Sequence, residues 1–200
     1  MIVIGLAGGV ASGKSLAAGH LRRLGAVVLD GDRVGHEVLQ EQDVITALRE
    51  QFGDGVVQAD GSIDRRAVAR IVFDDSPEGR EKLKVLEQIT HPRIGRRLRV
   101  EMDRRRNEGA RVVVVDAALM FKAGWDRYCD QVVFVDSPRE ARLQRALQRG
   151  WSEADFAARE AAQLPVAEKR QRADVVWDNS GSPEDLRRQV EGFWESLNLG

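Results

Sequence analysis

The stretch Gly8-Gly9-Val10-Ala11-Ser12-Gly13-Lys14-Ser15 satisfies the pattern G-x-x-x-x-G-K-[ST] at every position. It follows the apolar run Ile2 to Leu6, which reads as a buried strand, and it runs into a segment of helical period, Ser15 to Leu24. In that setting glycines let successive N–H groups point inward around a phosphate, and the positive N-terminal end of the helix adds to the attraction. Lys14 is then placed to reach the β and γ phosphates, and Ser15 to offer its hydroxyl to Mg²⁺. The competing reading is an ordinary glycine-rich turn, and the strand before and the helix after the motif argue against it. The stretch therefore predicts a nucleoside triphosphate site at the tip of a first strand.

Outward from this loop, further β-branched runs appear at Val27 to Leu29, Val112 to Val115, Val132 to Val135 and Val175 to Trp177. Continuous rather than alternating apolar runs indicate strands covered on both faces, as in a parallel sheet. Helix starts stand between them. Ser137-Pro138-Arg139-Glu140 reads as a Ser N-cap with Pro at N1 and Glu at N3, Ser182-Pro183-Glu184-Asp185 repeats it, and Ser152-Glu153-Ala154-Asp155 is a weaker version. Strands alternating with helices predict an α/β domain with right-handed crossovers. The alternation is interrupted by a helical insertion over about 34–108, and a smaller polar helical segment occupies about 149–172. The core is then 1–33, 109–148 and 173–200, with all 200 residues in one domain.

Composition narrows the class. The 200 residues carry 31 Lys and Arg against 32 Asp and Glu, a net charge of −1, so a general nucleic-acid binder is not expected. No run of 18 apolar residues is present, which predicts no membrane span. Cys129 is the single cysteine, so no intrachain disulfide can form. With no basic stretch ahead of the early glycines to suggest a signal peptide, a cytoplasmic protein is expected.

Three nucleotide-using classes fit the loop: a small-molecule kinase, a GTPase switch and a motor ATPase. The N-K-x-D string of a guanine site is absent, and a motor would usually be larger. Helical insertions that close over an acceptor and a triphosphate suit a kinase. Asp30-Gly31-Asp32 follows the second strand, where strand tips face the ligand crevice. Asp32 there either orients and deprotonates an acceptor hydroxyl or holds Mg²⁺, or else it caps the helix that begins near Val34. Asp116, after four valines, is placed like a Walker B aspartate or serves as a local partner. Arg142, Arg145 and Arg149, at i, i+3 and i+7 with no acidic residue from Ala141 to Gly150, make either a solvated basic face or a lid for the triphosphate. Their place beside the second insertion favours the lid.

Together these residues resemble the dephospho-coenzyme A kinase family. Gly5 to Ser15 is similar to its extended phosphate-loop signature, Asp30-Gly31-Asp32 to its Asp-x-Asp, and Gly61-Ser62-Ile63-Asp64-Arg65 with Phe73 to its Asp-Arg segment. His91-Pro92 resembles its His-Pro pair, and Arg145, Arg149, Arg159, Gln163, Ala173-Asp174 and Asn179 follow in its order. The resemblance implies a three-layer P-loop kinase fold with a five-stranded parallel sheet, a helical substrate-binding insertion and a small helical lid. It implies that ATP, with Mg²⁺, phosphorylates the ribose 3′-hydroxyl of dephospho-coenzyme A, the last step of coenzyme A biosynthesis. It further implies an ATP site at Gly8, Gly9, Val10, Ala11, Ser12, Gly13, Lys14, Ser15, Leu16, Arg145 and Arg149. Asp32 is the implied general base, with Lys14, Arg145 and Arg149 on the transferring phosphoryl group. Ser15 and Asp32 would place the metal, and Asp32, Arg65, His91 and Leu119 would contact the acceptor. A monomer or weak homo-oligomer is expected.

The chain departs from the family pattern at Ala7, often Thr, at Arg142, usually Gln, and at Ala118-Leu119-Met120-Phe121-Lys122, usually Pro-Leu-Leu-Phe-Glu. The competing functions are a kinase for another small acceptor, such as a nucleoside or shikimate, and a nucleotide-binding module without transfer activity.

Overall fold

The computed structural model describes residues 1–74 and 76–199. Five strands, β1 (Ile2–Gly8), β2 (Val27–Asp30), β3 (Val112–Asp116), β4 (Gln131–Asp136) and β5 (Val175–Asp178), form one parallel sheet in the order β2-β3-β1-β4-β5. All five expected runs are strands, and the first extends two residues further than its apolar stretch, into the phosphate loop.

Strand residues alternate between the two sheet faces. Ile4, Leu6, Val112, Val114, Val133 and Val135 join one core cluster with Ala17 and Leu21 of α1 (Lys14–Arg23). Leu186 and Val190 of α9 (Pro183–Ser196) complete it. Ala7, Val132 and Phe134 point to the other face, with Phe121 and, around them, Leu164 and Val166. Apolar residues are thus needed at successive positions, which is why these strands read as unbroken valine runs. Each fully buried Leu or Ile contributes about 2 kcal/mol by removal from water.

The chain divides into two compact units, Met1–Gly31 with the residues from Val100 onward, and Asp32–Arg99. The second is helical, with most of α2 (Gly31–Val38), α3 (Gln42–Phe52), α4 (Arg65–Val72) and the first part of α5 (Pro77–Asn107). Within it Arg93 donates two hydrogen bonds to Asp43, at 3.0 and 2.9 Å, and Arg97 pairs with Glu41 at 2.7 Å, joining α5 to α3. The helix α5 continues through Pro92, whose ring removes one backbone donor. Side chains bond to carbonyls beside it: Thr90 Oγ1 donates to Leu86 O and Arg93 Nη1 to Ile89 O, both at 2.8 Å.

In the sheet unit α6 (Arg139–Gln148), α7 (Glu153–Ala161) and α8 (Val166–Gln171) lie between β4 and β5. Ser152 and Ser182 each form a complete capping box, with Asp155 and Asp185. Ser137 does not cap α6, whose N-cap is Pro138 with no side-chain bond. The Ser137 hydroxyl is instead buried, donating to Asn179 O at 3.0 Å and accepting from Arg145 Nη1 at 2.8 Å. A tertiary partner has taken the hydroxyl that the local pattern assigns to a cap.

Candidate active site

The connection leaving β1 runs toward β2, and the one leaving β3 runs to β4 on the other side of β1. The neighbours β1 and β3 therefore flank the switch point of the sheet, where open α/β sheets take ligands beyond the carboxyl ends of their strands. Lys14 opens α1 just past β1, Asp116 ends β3, and the Lys14 ammonium donates to the Asp116 carboxylate. Asp116 thus stands beside the phosphate-loop lysine at the tip of β3, a place that fits both of its sequence readings. Asp30 stands beside Asp116 in the ladder register, at the end of β2.

In the loop from Gly8 to Lys14, glycine is not alone in taking an unusual backbone conformation. Gly13 is left-handed, with φ 98°, but so is Ala11, with φ 58°. Gly13 is required twice over, because a Cβ there would also collide with Asn179 Nδ2. Gly9 is tightly packed: a Cβ would stand 3.0 Å from the Arg142 guanidinium, which would have to give way. Gly13 is also the N-cap of α1 and brings no side chain to it, so the first-turn amides of that helix have no side-chain acceptor. Within the same loop Ser12 Oγ is buried with no hydrogen-bond partner among the described residues. An orphaned hydroxyl, uncapped amides and Lys14 are donors suited to phosphate oxygens. Ser15 and Leu16, in the first turn, are exposed.

The arginines do not form one solvated face. Arg142 is 3% exposed and pairs with Glu160 of α7 at 2.6 Å, so its acidic counterpart comes from another helix rather than from its own. It donates to Ser137 O at 3.1 Å and to Val10 O at 3.3 Å. Arg145 donates to Ser12 O at 3.2 Å and to Asn179 O at 2.8 Å. Burial, and then the charge of Arg149, hold its pKa below the ordinary arginine value. Arg149 is exposed and lies just past the last residue of α6, as its C-cap.

Two further residues serve the loop. Asn179, buried, donates from Nδ2 to Ser12 O at 2.7 Å. Lys169, 3% exposed, donates to Gly8 O at 2.9 Å and to Gln163 Oε1 at 2.8 Å. Burial, followed by the nearby charge of Arg142, lowers the Lys169 pKa to about 8. Sequence reasoning passed over Lys169, which stands among Glu168, Arg170 and Arg172 in a stretch that reads as a solvated helix. Arg159 packs over the Trp151 ring at 4.2 Å, and Asp174 accepts from the Val132 amide at 2.7 Å, a structural use.

Of the implied acceptor-side residues, Leu119 is half-buried in the turn after β3 and belongs to the sheet unit. Asp32, Arg65 and His91 belong to the helical unit. Asp32 is exposed in the first turn of α2 and lies inside that helix rather than before it, where the competing reading of a cap would place it. Arg65 is exposed as the first residue of α4, behind Asp64, whose carboxylate caps that helix by accepting from the Arg66 and Ala67 amides at 2.9 and 3.1 Å. His91 is half-buried within α5.

A family model described as Dephospho-CoA kinase matches residues 2–185. A dephospho-CoA kinase from Corynebacterium jeikeium is 42% identical over 199 residues, 98% of this chain and 100% of the relative. One from Geobacter sulfurreducens is 41% identical, over 97% of this chain and 98% of the relative. A solved structure from Thermus thermophilus superposes with a TM-score of 0.81 at 38% identity, covering 98% of this chain and 97% of that one. A shikimate kinase from Acinetobacter baumannii, at 18% identity and a TM-score of 0.54, covers 100% of this chain and 96% of its own and shares the fold. With a five-stranded parallel sheet, a phosphate loop at its switch point and relatives matching over nearly its whole length, the chain belongs to the dephospho-CoA kinase family.

Proposed function

We propose that the protein transfers the γ-phosphoryl group of ATP to the ribose 3′-hydroxyl of dephospho-coenzyme A, giving coenzyme A and ADP. The observation that carries this reading is the loop from Gly8 to Ser15, with its orphaned Ser12 hydroxyl and uncapped α1 amides, in a chain of this family. Phosphoryl transfer depends on alignment and charge neutralisation more than on strong base chemistry. Lys14 neutralises the transferring group, the loop amides hold the β phosphate, and Arg145 and Arg149 add positive charge from the end of α6. Asp32 accepts the proton of the attacking hydroxyl, and Arg65, His91 and Leu119 orient the acceptor, as the family pattern suggests.

The donors also suit Mg²⁺. The Ser15 hydroxyl and the Asp32 carboxylate are hard oxygen ligands. Mg²⁺ usually keeps several waters and is held by one or two protein oxygens together with substrate phosphates, so two such ligands would suffice. When bound, the ion neutralises charge on the β and γ phosphates.

Among the described residues no helix is long and apolar enough to cross a membrane. A cytoplasmic setting and a monomer or weak homo-oligomer complete the reading. The deciding experiment is ATP- and Mg²⁺-dependent conversion of dephospho-coenzyme A by the purified protein, with ADP release followed across a panel of acceptors. Formation of coenzyme A is expected. Release with shikimate or a nucleoside, or ATP binding without any transfer, overturns the reading.

A further inference from the structure

Three carbonyl groups of the phosphate loop, at alternate positions, are held by side chains from far along the chain. Gly8 O accepts from Lys169 at 2.9 Å, Val10 O from Arg142 at 3.3 Å, and Ser12 O from Asn179 at 2.7 Å and Arg145 at 3.2 Å. In a planar trans peptide the N–H points opposite to the C=O. Fixing these three oxygens therefore turns the amides of Gly9, Ala11 and Gly13 away from the four donors. The loop needs such restraint, because Ala11, which is not a glycine, sits at positive φ.

Lys169 is the donor whose presence packing explains least. An ammonium is strongly hydrated and costly to bury, and an apolar side chain of the same length fills the same space without that penalty. Yet Lys169 is buried, with both of its recorded bonds committed, one to the loop and one to Gln163 beyond α7. We propose that Lys169 is a positioning residue for phosphoryl transfer: by holding the Gly8 carbonyl it aims the Gly9 amide at the donor phosphates, and through Gln163 it sets that aim from the segment carrying α7 and α8. This rests on the function proposed above.

The charges around Lys169 supply a second readout, of how strongly its ammonium senses the bound phosphates. Burial first, then the charges of Arg142 of α6 and Lys14 of α1, lower its pKa to about 8, against the opposing carboxylate of Glu160 of α7. A bound polyanion favours the protonated form. Above that pKa, ATP binding by the wild type should draw in a fraction of a proton, whereas an arginine at this position is charged throughout.

The test compares wild type, Lys169→Met and Lys169→Arg by steady-state kinetics and by ATP titration calorimetry at about pH 8.5 in buffers of different ionisation enthalpy. Lys169→Met should lower kcat/KM for ATP by about tenfold or more while KM for dephospho-coenzyme A stays within about twofold, and Lys169→Arg should recover most of the loss. Wild type should take up protons on binding ATP and Lys169→Arg should not. A kcat/KM for ATP in Lys169→Met within about twofold of wild type overturns the proposal. So does equal proton uptake by wild type and Lys169→Arg, a comparison that stands even if Lys169→Met does not fold. Wild-type transfer is measured in the same series. Its absence counts against the function, while the ATP-binding comparison still decides the role of Lys169.

Discussion

The Lys14 ammonium donates to the Asp116 carboxylate, tying the first residue of α1 to the last residue of β3 across the switch point of the sheet. Both side chains are mostly buried, at 17% and 14% exposed, so the pair holds the lysine at the strand tips rather than in solvent. In the mechanism proposed above, Lys14→Ala removes a charge that acts on the transferring group, whereas Asp32→Asn removes a base that a loose transition state needs less. Lys14→Ala should lower kcat by about a hundredfold or more, and more than Asp32→Asn does. Comparable kcat for Lys14→Ala and wild type, in the coupled ADP assay, would refute the assignment.

Arg142 and Glu160 meet at 2.6 Å with the guanidinium almost fully buried, and the same guanidinium holds the Val10 carbonyl. Removing either partner leaves the other charge poorly solvated. A double-mutant cycle with Arg142→Met and Glu160→Gln, followed by urea unfolding, should show a coupling of about 1–3 kcal/mol. Additive single effects would mean that solvent already screens the pair.

Gly13→Ala tests the loop geometry. Its φ of 98° and the close approach of Asn179 Nδ2 leave no room for a Cβ. The variant should lose about 1–2 kcal/mol of stability and bind ATP at least about tenfold more weakly. Unchanged affinity in a nucleotide titration would show that the loop tolerates another conformation.

Asp64 accepts from two backbone amides at the start of α4, directly before Arg65. Asp64→Ala should destabilise the protein by about 1 kcal/mol, as should Ser182→Ala at the start of α9. Thermal unfolding checks both. Only the Asp64 variant should also raise KM for the acceptor, because the cap sets the direction of Arg65. Equal KM in the two variants would leave Arg65 without that role.

Cys129 has its thiol pushed up to about 12, by burial first and then by the carboxylates of Asp126, Asp130 and Asp174. It should resist iodoacetamide in the native protein near neutral pH and react on unfolding. The folded value lies above the unfolded one, so the folded state binds the extra proton. Stability from this group is present below the unfolded pKa of about 9 and falls as pH rises toward 12. Rapid native labelling at neutral pH would contradict the assignment.

The five strands were legible because burial on both sheet faces demands apolar side chains at consecutive positions, and Val112 to Val115 shows this directly. The capping boxes at Ser152 and Ser182 were legible because their partners stand three residues away. Ser137 followed the same local pattern and was claimed by Arg145 and Asn179, from 8 and 42 residues away. The burial of Arg142 was hidden for a similar reason, since its counter-charge Glu160 lies 18 residues on, in another helix.

The amino-acid sequence alone determined the layered α/β architecture, the phosphate loop and the family, because these rest on short-range chemistry: a pleat that alternates, a helix that starts, glycines beside a lysine. Only the tertiary structure decided which side chains hold that loop in shape. Lys169, Arg142, Arg145 and Asn179 reach its carbonyls from 132 to 167 residues away, and Ala11 adopts a left-handed conformation that its residue type alone disfavours. Hydrogen bonds between backbone oxygens and distant side chains leave no period or spacing along the chain. They exist only once the sheet has brought their partners together.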